Sequence, residues 1–378
     1  IVHLVLARLP DAPAGVKGIS LFLVPKMLED GSRNGVACGS VEHKMGIKAA
    51  ATCVMNFDGA KGWLIGTENR GLACMFTMMN DARFQVGLQG LGVAEMAYQG
   101  AVEYAIDRLQ SRSLTGPKAP EKPADPIIVH PDVRRMLLTQ KTLVEGCRIL
   151  AYEAAQYLDM EQHHPDAEER EKAAVRAALL IPVVKSFLTD MSAEAANIGM
   201  QVYGGHGFIR EWGMEQLVRD GRITQIYEGT NGIQALDLAG RKLQRDGGAA
   251  LLALLAEVRN TADDLSKSTR LNAMGPLLSD AADDLQAAME IVLEQGSHPE
   301  QGPDAVQAYA TPLLNLAGHV LCAWQMGQAA LHAQQAITQG SDDPFYRTKL
   351  CSAEFVIHQW LPVGRAQRAV IEAGMQCL

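Results

Sequence analysis

Residues 201–243 read QVYGGHGFIREWGMEQLVRDGRITQIYEGTNGIQALDLAGRKL. The stretch holds a glycine-rich turn, a charged amphipathic segment and then Tyr227-Glu228-Gly229-Thr230 at the mouth of a new helix. A carboxylate beside a flexible glycine suits a general base on a movable loop, and it suits an ordinary connection equally well. Asn231 is placed to cap the helix that follows, with Gln234 three positions on as its reciprocal partner. Ile233, Leu236, Gly240 and Leu243 fall on one face of that helix, and Gly247-Gly248 ends it.

Upstream the pattern is helical as far back as Gly71. Gly71–Arg112 is rich in Ala, Met, Leu and Gln without a proline, and helices are expected over Pro131–Met160 and Arg170–Gly199. Pro182 should kink or break the third. A Pro-rich polar loop, Ser113–Pro126, separates the first two helices. Three long helices and the shorter one after Glu228 make a four-helix bundle over residues 61–246.

Residues 1–60 are different. Ile1–Ala7, Ile19–Val24 and Thr52–Phe57 are short apolar runs bounded by Pro and Gly, the pattern of strands and turns. They form a partial β-domain in need of further strands. The chain opens on Ile-Val-His-Leu, as a strand entered midway, and is expected to be part of a longer protein. Beyond Gly248 come helices at Ala249–Ser268, Pro276–Gln295, Asp304–Gln339 and Pro344–Ala373, an additional helical domain over 247–378. The expected class is mainly α.

Composition narrows the function. In 378 residues, 48% are hydrophobic and 20% charged, which suits a globular chain with a sizeable core. A net charge of −9 argues against affinity for nucleic acid. The seven cysteines are scattered with no CxxC pair, which fits reduced thiols in a cytoplasmic compartment. No apolar run is long enough to span a bilayer, and His163-His164 lack companions at metal-ligand spacing. The Gly204-Gly205-His206-Gly207 turn serves either as a helix stop or as an exposed row of N–H donors for a phosphate.

Taken in order, Gln-x-x-Gly-Gly-x-Gly, Arg-Asp-x-Arg-Ile and Ile-Tyr-Glu-Gly-Thr resemble the signature of flavin-dependent acyl-CoA dehydrogenases. KGISLFLVPK and HKMGIKAAAT are similar to the second half of that family's middle β-domain, and Tyr104–Arg108 to its YAxxR segment. The resemblance covers about residues 1–245. The helical tail is similar to that of the family's long members, the 3-methylmercaptopropionyl-CoA dehydrogenase subgroup.

The resemblance implies α,β-dehydrogenation of an acyl-CoA thioester to the trans-2-enoyl-CoA. Glu228 would abstract the α-proton while hydride passes to flavin N5 of FAD, and electrons would go on to an electron-transferring flavoprotein. Arg108 and Gln110 would contact FAD across the interface of a homo-oligomer, and Gln201, Gly204 and Gly205 would approach its ADP part. Thr230 also falls on an FAD-contacting position. Tyr227 and Gly229 would flank the acyl chain, and Asn80 and Arg83 would touch the CoA arm. The sequence departs from the family where Ser111-Arg112 replaces Phe-Gly, and where Gly232 stands in place of a flavin-contacting side chain. A family N-terminal helical domain and a Trp-containing flavin strand would precede Ile1. The alternatives are an acyl-CoA oxidase, or a non-catalytic scaffold or DNA-associated relative of the same fold.

Overall fold

The structure, a computed structural model, describes residues 1–374. The chain divides into two compact units, Ile1–Arg83 and the residues from Phe84 onward.

In the first unit, β1 (Val2–Arg8), β2 (Ile19–Pro25) and β5 (Trp63–Ile65) form an antiparallel sheet in the order β1-β2-β5. A second ribbon pairs β3 (Val36–Val41) with β4 (Cys53–Phe57), its register broken by a bulge between Cys38 and Ser40. Strands β3 and β5 lie where none was expected. The first contains a glycine and the second has three residues, so neither carries an alternating apolar pattern. Buried Asn34 joins the loops between them. Its amide donates to the Pro25 and Lys61 carbonyls at 2.8 and 2.9 Å, and its carbonyl accepts from Gly35 and Lys61 N–H at 2.9 Å. All four hydrogen-bonding positions of the side chain are thereby used.

The first helix, α1 (Gly71–Asp107), starts in the first unit and runs into the second. It stops five residues short of the expected Arg112. There the chain leaves the helix, and Arg108 and Gln110 pair through their backbones with Ile127 and Asp125. The Pro-rich loop beyond is tied to one buried carboxylate. Asp125 accepts N–H bonds from Ser113, Lys118 and Ala119 at 2.8–2.9 Å and an ion pair from Arg112 at 3.1 Å. These bonds hold its carboxyl well below the usual range, against the opposing effect of burial. Leu114 stands fully exposed at the loop tip.

Helix α2 (Pro131–His163) packs antiparallel along α3 (Ala167–Tyr203). Asp166 caps α3 by accepting the Glu168 N–H at 2.9 Å. Pro182 does not break this helix, which continues through it. The flanking residues Leu179–Thr189 are all buried, and packing on both sides outweighs the one lost backbone bond. After α3 come α4 (Met214–Arg222), α5 (Asn231–Leu236), a π-helical turn (Asp237–Lys242) and α6 (Leu243–Asp246).

Gly247 and Gly248, both left-handed, turn the chain into α7 (Ala249–Lys267), α8 (Met274–Gly296), α9 (Gly302–Thr338), α10 (Pro344–Phe355) and α11 (Leu361–Glu372). A π-helical turn at Val356–Trp360 divides the last two, where one continuous helix was expected. The turn at 247–248 is not a boundary of the core. A single hydrophobic cluster includes Phe84 and Leu91 of α1, Leu150 of α2, Phe187 of α3, Leu243 of α6 and Leu254, Leu285, Leu321 and Ile357 beyond it. At its junction the Phe187 ring lies 5.0 Å from His319 and 5.7 Å from Trp360, centroid to centroid.

A charged cluster lies where α2, α3, α7 and α9 meet. Glu153 accepts from Gln325 and lies 3.8 Å from Arg176, which also pairs with Glu257. Burial pushes the Glu153 carboxyl up to about 7, with Arg176 opposing the shift and Glu257 adding to it. The folded protein therefore keeps a proton that the unfolded chain gives up near the ordinary value of 4.5. This contribution to stability is complete at low pH and is lost as pH rises through about 7, with a slope of at most about 1.4 kcal/mol per pH unit. Glu153→Gln should remove that slope. Urea midpoints of the two proteins between pH 5 and 8 check it, and parallel pH profiles would refute it.

Candidate active site

The loop Ile226–Thr230 connects a 3-10 turn (Ile223–Gln225) to α5. Glu228 lies at its centre with φ +55°, and Gly229 follows at φ +85°. A left-handed residue with a Cβ costs roughly 1–2 kcal/mol, so the loop spends conformational energy to present this side chain. Glu228 is half-buried, and among the described residues no hydrogen bond or ion pair holds its carboxylate. Tyr227 is tied down instead, its hydroxyl donating to Gln89 Oε1 on α1. Burial pushes the Tyr227 phenol above its ordinary value, and the neighbouring Glu228 carboxylate adds to the shift.

Thr230, not Asn231, caps the following helix. Its hydroxyl accepts the Ile233 N–H at 3.3 Å. Both residue types are good caps, and Asn231 has other partners. It turns inward to α3, where Lys185, Ser186, Thr189 and Asp190 surround it. Gln234 reaches back to the Gly229 carbonyl at 3.4 Å in place of closing a capping box on Asn231. Asp190 and Lys185 were not singled out in the sequence. The available signal was one charged residue, Lys185, inside the run Leu179–Leu188, which is otherwise apolar except for Ser186.

A second group of expected site residues gathers where α1 and α3 end. Gly204, at φ +58°, stops α3 and donates its N–H to the Gln201 carbonyl. Gly204 and Gly205 have open space over their Cα atoms, whereas Gly207 is pressed against the Met200 backbone. Behind the turn, Tyr104 stacks on Tyr203 at 4.2 Å, and its hydroxyl lies 3.0 Å from His206 Nδ1. His206 in turn stacks on Trp212 at 4.3 Å. Arg108, one turn beyond Tyr104, and Gln110 and Gln201 are exposed.

Gln89, which receives Tyr227, and Tyr104 lie fifteen positions apart on α1. At helical rise this is roughly 22 Å. The structure thus brings Tyr227, Glu228, Gly229 and Thr230 to one loop. Gln201, Gly204, Gly205, Arg108 and Gln110 lie around another locus of the same unit. Asn80 and Arg83 belong to the first unit, where Asn80 is exposed and Arg83 is buried with its guanidinium 6.0 Å from the Phe76 ring centre. Among the described residues no helix is long and apolar enough to cross a membrane.

The fold and this loop define a class. Residues 69–243 match the family described as acyl-CoA dehydrogenase, C-terminal domain, and residues 254–378 match acetyl-CoA dehydrogenase C-terminal like. The chain belongs to the acyl-CoA dehydrogenase family.

Among individual relatives, the 3-methylmercaptopropionyl-CoA dehydrogenase of Ruegeria pomeroyi is 44% identical over 367 residues, 96% of this chain and 61% of that protein. The broad-specificity linear acyl-CoA dehydrogenase FadE5 of Mycobacterium tuberculosis is 36% identical over 393 residues, 98% of this chain and 64% of that protein. The chain spans about three-fifths of the length of these relatives. A crystal structure of an acyl-CoA dehydrogenase from Bacillus anthracis, complexed with FAD, superposes with a TM-score of 0.76 at 20% identity. It covers 99% of this chain and 61% of that one, and it shares the fold.

Proposed function

We propose that the protein carrying this chain is an FAD-dependent acyl-CoA dehydrogenase with Glu228 as its base. The observation that carries this reading is Glu228 itself: a half-buried carboxylate without a partner among the described residues, held out on a left-handed backbone. A carboxylate that forms no ion pair leaves its oxygens open to an incoming C–H proton. The α-carbon of a thioester gives up its proton to Glu228 as the C–C bond becomes a double bond. FAD, when bound, supplies the two-electron acceptor for the β-hydrogen. The backbone N–H of Glu228 donates to the thioester carbonyl and so stabilises the charge that develops there.

The residues present fit such a cofactor. The Gly204-Gly205 turn leaves its backbone open to a diphosphate, and Gln201, Arg108 and Gln110 offer exposed donors. Gln89, which bonds the base loop, and Tyr104, behind the glycine turn, stand roughly 22 Å apart along α1, which suits a division of labour in a homo-oligomer. Thr230 would hold the flavin of its own site, while Arg108 and Gln110 would serve the cofactor of a second copy. Tyr227 and Gly229 line the acyl chain. Electrons leave to an electron-transferring flavoprotein, and the enzyme works in the cytoplasm.

The test is an anaerobic titration of the intact protein with a panel of acyl-CoA thioesters, followed at the flavin absorbance band. Bleaching by at least one thioester, with slow reoxidation in air and rapid reoxidation by electron-transferring flavoprotein, is the expected result. No bleaching by any thioester would overturn the reading. Rapid reoxidation in air with peroxide release would make the enzyme an oxidase.

A further inference from the structure

We propose that Asp190 and Lys185 of α3, acting through Gln225 and Asn231, form a clasp that closes both ends of the Glu228 loop and positions its carboxylate. The proposal rests on the reading of Glu228 as the base, and it concerns residues that take no part in the chemistry.

Gln225 and Asn231 bracket the five-residue loop Ile226–Thr230. Gln225 Nε2 donates to Asp190 Oδ1 at 2.6 Å, and Asn231 Nδ2 donates to the same oxygen at 2.7 Å. One carboxylate oxygen therefore ties the residue before the loop to the residue after it. Asn231 Nδ2 also lies 3.1 Å from the Ser186 carbonyl and 2.9 Å from Thr189 Oγ1. The other end of that amide, Oδ1, accepts from Lys185 Nζ at 2.8 Å. Lys185 has no solvent exposure. A buried ammonium is costly unless it is hydrogen-bonded, so releasing Asn231 also takes a bond from this group. The loop end and the core lysine hold each other in place.

The loop needs such a device. Two successive residues, Glu228 and Gly229, have φ of +55° and +85°, and a strained backbone persists only where its surroundings fix it. The Glu228 side chain has no partner of its own among the described residues to do so. Inside the loop, backbone bonds hold Ile226 and Tyr227 to Ile223 and Thr230 to Gln234. Tyr227 also bonds Gln89, and Gln234 touches the Gly229 carbonyl, but none of these bonds reaches Glu228 itself. With the ends released, the glutamate is free to sample conformations that miss the α-carbon. A base displaced by about 1 Å costs on the order of a hundredfold in rate.

The experiment uses the intact flavoprotein with Asn231→Ala, Asp190→Ala, the double variant, Lys185→Met and Lys185→Arg. Two readouts are taken: amide hydrogen exchange of residues 226–230, and flavin reduction rate against acyl-CoA concentration. Asn231→Ala and Asp190→Ala should each raise loop exchange at least tenfold. They should lower the limiting reduction rate roughly ten- to a hundredfold while half-saturation moves less than about threefold. The double variant should be no worse than the poorer single one, as for residues that act as a unit. Lys185→Arg should recover part of what Lys185→Met loses. If Lys185→Met does not fold, the half-buried Asn231 still decides the matter.

Unchanged loop exchange in Asn231→Ala and Asp190→Ala would overturn the clasp. Raised exchange with an unchanged reduction rate would overturn its positioning role. The exchange readout does not depend on the chemistry. A failure of Glu228 as base would appear as full activity in Glu228→Gln and would leave the exchange result standing.

Discussion

Glu228→Gln is expected to lower the rate of flavin reduction by acyl-CoA by about 10³- to 10⁴-fold, or roughly 4–5.5 kcal/mol of barrier. Glutamine has nearly the same shape and the same tolerance of the left-handed backbone at this position. It cannot take up the α-proton at neutral pH. The carboxylate forms no ion pair among the described residues, so its loss leaves no other charge unpaired. Binding should accordingly survive, with substrate affinity changed by only a few-fold. Stopped-flow measurement of flavin bleaching under single-turnover conditions separates the two effects. Equal rates for the two proteins would show that another group removes the proton.

Phe187→Ala is expected to cost about 3–5 kcal/mol of stability, the range for removing a large buried aromatic side chain. Phe187 is fully buried, and its ring fills the space that a side chain at position 318 would need. A Cβ built on Gly318 would lie 2.2 Å from the ring. Neighbouring His319 and Trp360 also close on it. The ring joins α3 to helices on the far side of the Gly247-Gly248 turn, so the loss should be felt on both sides of that turn. Urea unfolding followed by far-ultraviolet dichroism and by tryptophan fluorescence should show coincident transitions, shifted together. Two separate transitions, with only one shifted, would mean that the helices beyond Gly248 fold on their own.

Much of this architecture is legible in the chain. Helices α1, α2, α3 and α7–α9 have long apolar periodicity bounded by glycine and proline, and their ends were read to within a few residues. The exceptions have physical causes. Strands β3 and β5 depend on pairing partners rather than on their own pattern. The continuity of the core past Gly248 is invisible locally, because a pair of glycines marks a turn of the backbone and says nothing about what packs across it.

At the loop, Glu228-Gly229-Thr230 was legible as chemistry. The exchange of cap from Asn231 to Thr230 was not, because it is decided by Lys185 and Asp190 some forty residues away in sequence. Resemblance to a family joined the base loop and the Gly204-Gly205 turn into one expected site. The separation of the two along α1 needed coordinates.

The loop between α1 and α2 bears on how the chain tolerates insertion. Its proline, lysine and glutamate content is that of a spacer, where extra residues are ordinarily accommodated. Asp125 makes it two different territories. Around Gly116, at φ +91° and beside the solvent-exposed Leu114, no side chain or backbone would crowd an added residue. From Lys118 onward the chain is tied down: the Lys118 and Ala119 N–H groups donate to the Asp125 carboxylate, and the Ala119 and Lys122 carbonyls accept from Arg112. A tag or fluorophore belongs on the first side of that divide. On the second, a single added residue would break the register by which one carboxylate holds the whole excursion closed.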